Sequence, residues 1–273
     1  MLDALKKLFS RPQPQSQPSP QAALPDGQRI YAIGDVHGRL DLFLALITAI
    51  EADDAARGFA QTTIILLGDL VDRGADSAGV LQAARALQQR RNVRILCGNH
   101  EEMMLKSMEE LEVFRHFLRH GGRETIQSFG VPVSAFAGLD LDEMQSLLKR
   151  SVPPSEVAFI QGFEDSITVG DYLFVHAGVA PGVPLEEQKS SDLRWIREPF
   201  LSHPDPFGAV VVHGHTIRDE AEDRGNRIGI DTGAFQSGRL TAVVLEGTSR
   251  RFIQTQQDEG GVISVEEIVP GGL

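Results

Sequence analysis

The sequence predicts an α/β fold whose first half is built on a largely parallel sheet, and three observations predict it. Short apolar runs (RIYAI, TTIIL and NVRIL) alternate with longer segments of helical apolar spacing, LDLFLALITAIEADDAA and SAGVLQAARALQQR. Each short run is apolar on successive residues, as a strand covered on both faces requires. Each run also ends in a polar cluster: GDVHG, GDLVDRG and GNHEE. Strand, helix, strand, helix, strand is the order of βαβ units. In open sheets of that kind sites form beyond the carboxyl ends of the strands, so the three clusters are expected to converge.

The other elements follow along the chain. MLDALKKLFSR spaces Leu2, Leu5 and Phe9 on one helical face but lacks the continuous apolar core of a signal peptide. Residues 12–27 are dominated by Pro and Gln and offer little to bury, so 1–27 reads as a disordered N-terminal segment. The folded domain is expected over 28–255, with a mostly helical insert near 101–165. SITVG and YLFVHAG read as a hairpin turning at Gly170–Asp171. AVVVHGHT is a strand that ends in His. RIGIDTGA, RLTAVVLEG and RRFIQTQ read as antiparallel strands, and 256–273 as a C-terminal tail.

Bulk properties narrow the function. A formal net charge of −12 disfavours a protein that tracks nucleic-acid phosphates. The single cysteine, Cys97, excludes an intrachain disulfide and suits the reducing cytoplasm. It closes the run VRILC and reads as a small buried hydrophobe. No apolar stretch has the length of a bilayer span, so stable membrane insertion is not expected.

The strand ends carry the chemistry. Asp35 and His37 lie two residues apart, so in extended backbone they point the same way and can reach one ion. Asp69 repeats the Gly-Asp pattern after the second strand and can bridge to a second ion. Asn99, His176 in FVHAG and His215 in HGHT complete a second set. Carboxylate, imidazole and amide together favour manganese, iron or zinc over calcium or magnesium without separating the first three. Two divalent metal ions are expected, with manganese taken as the expected one and iron or zinc as the alternatives. His213, two residues before His215, is the competing ligand but reads better as core. His116, His120 and His203 lie outside every motif and read as solvated, Asp231 as a turn residue, and Trp195 as a packing aromatic.

The ordered set GDVHG, GDLVDRG, GNHE, FVHAG and GHT, over about residues 29–235, resembles the calcineurin-like metallophosphoesterases. Within them it is similar to the phosphoprotein-phosphatase branch, including the small bacterial serine/threonine phosphatases. The resemblance implies a β-sandwich of two mixed sheets flanked by helices. It implies that Asp35 and His37 bind one metal, that Asp69 bridges, and that Asn99, His176 and His215 bind the other. It further implies that Asp72 orients His100 as the proton donor, and that Arg73, Arg197 and Asn99 hold the phosphate, with Arg194 the alternative to Arg197.

The implied activity is removal of phosphate from phosphoserine or phosphothreonine, the partner being a phosphoprotein or phosphopeptide. The alternative is symmetrical hydrolysis of diadenosine tetraphosphate. Tetraphosphatases look like VARG and GNHD at two of the motifs, so Asp72 and Glu101 are read as favouring the protein phosphatase. A catalytically dead binding module is disfavoured because every expected ligand is present.

Overall fold

Three apolar runs pair in parallel at the heart of one sheet, in a computed structural model that describes residues 21–271. They are β1 (Gln28–Ile33), β2 (Gln61–Leu66) and β3 (Val93–Ile95), with helices α1 (Leu40–Ala56) and α2 (Ser77–Arg90) as the crossovers. Asp76 starts α2 by accepting a hydrogen bond from Gly79 N at 2.7 Å, which satisfies one of the free N–H groups of the first turn. The insert is helical: α3 (Asn99–Glu109), α4 (Leu111–Phe117), α5 (Arg123–Ser128), α6 (Leu141–Ser151) and α7 (Pro154–Gln161). The expected hairpin forms as β4 (Ser166–Val169) and β5 (Tyr172–Val175). Next come α8 (Ser190–Trp195), β6 (Val210–His213), β7 (Glu222–Asp223), β8 (Arg227–Gly229), α9 (Ala234–Ser237), β9 (Thr241–Glu246), β10 (Ser249–Gln257) and β11 (Ile263–Ile268).

The strands form two mixed sheets. One runs β11-β10-β9-β1-β2-β3 and the other β4-β5-β6-β8-β7. Alternation on β1 shows how they stack. Ile30 and Ala32 face the second sheet and pack with Ile65, Val243, Phe174, Val212 and Ile228. Tyr31 and Ile33 face the other way, onto Leu42, Leu46, Val80 and Leu81 of the crossover helices. The outer face of the second sheet is covered by Leu193 of α8 and by Phe200. Each such side chain, fully buried, contributes about 1.5–3 kcal/mol. The architecture is the two-sheet sandwich with flanking helices expected from the motifs.

Three expectations change. β8 pairs in parallel with β6, while β9 and β10 are antiparallel as read. The crossover between β6 and β8 is only a short excursion through β7, too irregular to read from local pattern. The segment read as a tail carries β11, which pairs with β10 from Phe252↔Ile268 to Gln257↔Ile263. Ile263 and Val265 pack on the α1 side of the sheet, an alternation that the adjacent Glu266–Glu267 obscures. At the other end, residues 21–27 belong to the fold. Leu24 is 3% exposed between the sheets and its N–H donates to Gly247 O at 2.9 Å. Residues 1–20, with Leu2, Leu5 and Phe9, lie outside the described residues.

Candidate metal centre

The loops after β1, β2, β3, β5 and β6 meet at one rim of the sandwich. Their backbone is unusual. Outside glycine, the described residues with left-handed φ are His37 (45°), Asp69 (51°), Asp72 (72°), Arg73 (70°) and His215 (62°). All five are site residues predicted from the motifs. A side chain in that region costs on the order of 1–3 kcal/mol, so surrounding bonds must hold it there. Much of that work falls to Glu101, which is 0% exposed. Its carboxylate accepts from Asp69 N (2.8 Å), Leu70 N (2.7 Å) and Gly98 N (2.9 Å). The loop after β1 is tied to the same turn, because Val36 N and His37 N both donate to Asp69 O, at 3.1 and 2.8 Å. Glycine is needed where carboxylates pass the backbone. A Cβ at Gly98 would stand 2.1 Å from Asp69 Oδ1, and one at Gly214 would stand 2.0 Å from Asp35 Oδ1.

Two donor sets share Asp69. In each, the ligand atoms lie within 4.8 Å of one another: His37, Asp69 and His100 in one, Asp69, His176 and His215 in the other. Hydrogen bonds fix the tautomers. His37 Nδ1 is 2.8 Å from Val71 O, and His176 Nδ1 is 2.8 Å from Leu67 O. A carbonyl only accepts, so each Nδ1 carries the proton and each Nε2 presents a lone pair to the site. Burial keeps these rings neutral, lowering the pKa of His176 to about 4 and of His215 to about 2. Asn99 Oδ1 lies between them, 2.9 Å from His176 Nε2 and 2.7 Å from His215 Nδ1.

These residues fit divalent cations. The lone pair of His176 faces an amide oxygen and, at 3.4 Å, Asp69 Oδ1. Acceptors gathered without a proton between them repel unless a cation lies among them. The carboxylates tell the same story. Burial raises the pKa of Asp69 to about 6, and burial with the nearby charges of Asp231 and Asp69 raises that of Asp35 well above the ordinary range. In the first set a cation is already present: Arg73 donates to His37 Nε2 and to His100 Nε2, both at 2.9 Å.

The remaining predicted residues are placed as follows. Asp35 joins neither donor set. It accepts from His215 N at 3.1 Å and lies beside Asp231. His100 Nδ1 is 2.6 Å from Asp72 Oδ2, and the other Asp72 oxygen accepts from Thr125 Oγ1 at 2.6 Å. His213 faces Phe200 and Arg227, away from both sets. Arg194 is held by Asp165 and Glu102. Arg197 is exposed, forms no ion pair among the described residues, and is close enough to lower the pKa of His176, His215 and Asp231.

Three residues were misread or overlooked. Asp231 is 3% exposed and belongs to the carboxylate cluster, with a pKa raised to about 6, chiefly by burial. Its signal was available, since IGID ends a strand in an acid just as AIGD does. Phe235 lies under the Arg73 guanidinium at 4.7 Å and against the His37 ring at 5.5 Å. Trp195 is 39% exposed rather than packed away. Nothing in local spacing marks Phe235, whereas Trp195 stands in the W-x-R spacing that ends at Arg197.

Comparison with known proteins agrees on the family and corrects the substrate. The calcineurin-like phosphoesterase family model matches residues 28–234. A symmetrical bis(5'-nucleosyl)-tetraphosphatase of Acidovorax sp. (strain JS42) is 33% identical over 247 residues, covering 89% of this chain and 73% of the relative. One from Klebsiella pneumoniae (strain 342) is 31% identical over 184 residues, covering 67% of this chain; the match spans about half (55%) of that relative's length. A crystal structure provisionally named a diadenosine tetraphosphatase superposes with a TM-score of 0.57 at 21% identity, covering 94% of this chain and 96% of that one. At that identity the likeness shows the fold alone.

The names of these relatives overturn the expected phosphoserine/phosphothreonine protein phosphatase, and with it the phosphoprotein or phosphopeptide partner. The physical reason lies in the two residues used to choose. Asp72 and Glu101 are both 0% exposed. Asp72 is spent on His100 and Thr125, and Glu101 on the backbone of the Asp69 turn, so neither can read a substrate. The shared donor sets, the two-sheet fold and the match over most of its length agree: this chain belongs to the calcineurin-like phosphoesterase family.

Proposed function

We propose that this protein hydrolyses dinucleoside polyphosphates, cutting diadenosine tetraphosphate symmetrically into two nucleoside diphosphates. The observation that supports this substrate class is the extent of the Acidovorax likeness: 247 residues and 89% of the chain, far beyond the short motifs at the strand ends. The reaction class is supported by the paired donor sets that share Asp69.

We assign Asp69, Asn99, His176 and His215 to one ion and His37 and Asp69 to the other, with Asp35 as its further ligand although that carboxylate joins neither donor set in this structure. Divalent cations held there would supply positive charge to the phosphoryl oxygens and lower the pKa of an attacking water toward neutrality. Arg73 and Arg197 add fixed charge, and the planar guanidinium fork matches phosphate oxygens two at a time. We assign proton transfer to the departing phosphate oxygen to His100 Nε2, which accepts from Arg73 in this structure and would have to take up a proton to act as the acid, while Asp72 holds the ring through Nδ1. A nucleoside diphosphate is a weakly basic leaving group, so this proton matters less than it would for a serine alkoxide.

Manganese is the ion we propose, because it accepts carboxylate, imidazole and amide donors together. Cys97 is buried, and burial pushes its thiol up to about 12, which leaves it an inert hydrophobe. The reducing cytoplasm remains our proposed location; among the described residues no helix is long and apolar enough to cross a membrane.

The test is product analysis. Metal-loaded protein is incubated with diadenosine tetraphosphate and the nucleotides are separated by ion exchange. ADP as the sole product is expected, with activity lost on chelation and restored by manganese. ATP plus AMP, or no hydrolysis with manganese, iron or zinc, overturns the reading.

A further inference from the structure

We infer that Trp195 is a platform on which a purine base of the substrate stacks, beside the His176–His215 half of the centre. The proposal rests on the dinucleotide reading above and names the residue that would recognise the nucleoside.

Four observations carry it. The indole is 39% exposed, and its ring centroid is 6.4 Å from that of His215 at an interplanar angle of 74°, so an edge meets the imidazole. Its orientation is set, because Nε1 donates to Glu102 Oε2 at 2.9 Å. Glu102 is itself held by Lys106 and by Arg194, which is anchored on Asp165. The polar edge of the ring is therefore satisfied, and what remains to offer a ligand is π surface. Arg197 follows two residues later, exposed and without an ion-pair partner among the described residues. One short segment thus presents a flat aromatic and a free guanidinium at the margin of a phosphoryl site. A phosphate chain ending in a nucleoside has that same sequence of chemistry. The chain carries anionic oxygens for Arg197, and a purine follows for the indole. Stacking suits such a position because it needs no donor or acceptor from the base, and it is strong enough to dominate affinity for the nucleoside.

Trp195 is the only tryptophan in the chain, so its emission reports directly on this place. The experiment titrates the metal-loaded protein with ADP and, separately, with inorganic pyrophosphate, following tryptophan fluorescence. Both bring a diphosphate and only ADP brings a base. In parallel, KM and kcat for diadenosine tetraphosphate are measured on Trp195→Ala and Trp195→Phe. The platform predicts saturable quenching by ADP that pyrophosphate does not reproduce. It also predicts a KM raised about tenfold or more by Trp195→Ala, with kcat changed far less, and a KM largely restored in Trp195→Phe. Equal responses to ADP and pyrophosphate, or a wild-type KM in Trp195→Ala, overturns the platform even when the dinucleotide is cleaved. Selective quenching by ADP without cleavage of the dinucleotide supports the platform and overturns the reading of the reaction.

Discussion

The two halves of the first sheet end their strands in different ways. β1, β2 and β3 run parallel; β1 and β2 each hand the chain to a helix that crosses back over the sheet, and β3 hands it to the helical insert. The loops so created carry Asp35, His37, Asp69, Asp72, Arg73 and Asn99, and four of those residues have left-handed φ. β9, β10 and β11 are antiparallel and return at once. Their turns use the backbone to close on itself, as when Asp258 N donates to Val262 O and Gly261 N to Asp258 O, both at 3.0 Å. Left-handed φ occurs there only at glycines such as Gly247 and Gly261. The difference teaches where chemistry can be built. A crossover loop has room to turn side chains toward a common point and neighbours such as Glu101 to hold them. A hairpin spends the same residues on pairing.

The largest expected effect that breaks this division comes from Asp69→Asn. The amide keeps the shape but removes the charge shared by both donor sets. Turnover should fall by roughly a thousandfold or more, with bound metal lost by mass spectrometry. The unfolding midpoint in chelator should not fall, because burial disfavours the native carboxylate. A variant that retained metal and turnover would remove the distinction between the two halves. Next is Phe252→Ala on β10, whose ring is 1% exposed between the sheets. It should cost about 3–5 kcal/mol in urea unfolding while metal content per folded molecule stays constant. Loss of metal from the folded variant would mean that the antiparallel half shapes the site after all.

The smallest effect is at the seam. Asp53 of α1 accepts from Tyr31 Oη of β1 at 2.6 Å and from Arg251 of β10 at 2.9 Å, joining the halves. Burial pushes its pKa up, but the bonds from Tyr31, Arg57 and Arg251 outweigh that and hold it below the ordinary value of 3.8. A depressed pKa gives stability that is present above the unfolded value and lost as pH falls through the folded one. Asp53→Asn should therefore lower stability by no more than about 1 kcal/mol at pH 7, and the difference should shrink as pH falls below the ordinary carboxylate value of 3.8. A difference that persists in acid would point to packing instead of charge.

What could be read without the structure was local. The strands, the crossover helices and the metal-binding residue types at strand ends all follow from near neighbours, because strand pattern and the direction of side chains at i and i+2 are properties of a few adjacent residues. That is why Asp69, His176, His215 and Asn99 could be named as one centre, and they do converge. Tertiary structure decided everything that depends on which distant surfaces meet. Asp231 looked like a turn residue until β8 was set beside β6 and its acid reached Asp35. The resemblance favours Arg197 over Arg194, and the fold supplies the physical difference, because Asp165 and Glu102 engage Arg194. Glu101 looked like a badge of substrate class and is a buried clamp on the Asp69 turn. The sequence by itself determined the fold class and the kind of chemistry, since both are written in short-range pattern. Only the folded molecule decided which residues are spent on architecture and which, like Arg197 and Trp195, are left free to meet a ligand, because burial and partnership are non-local quantities.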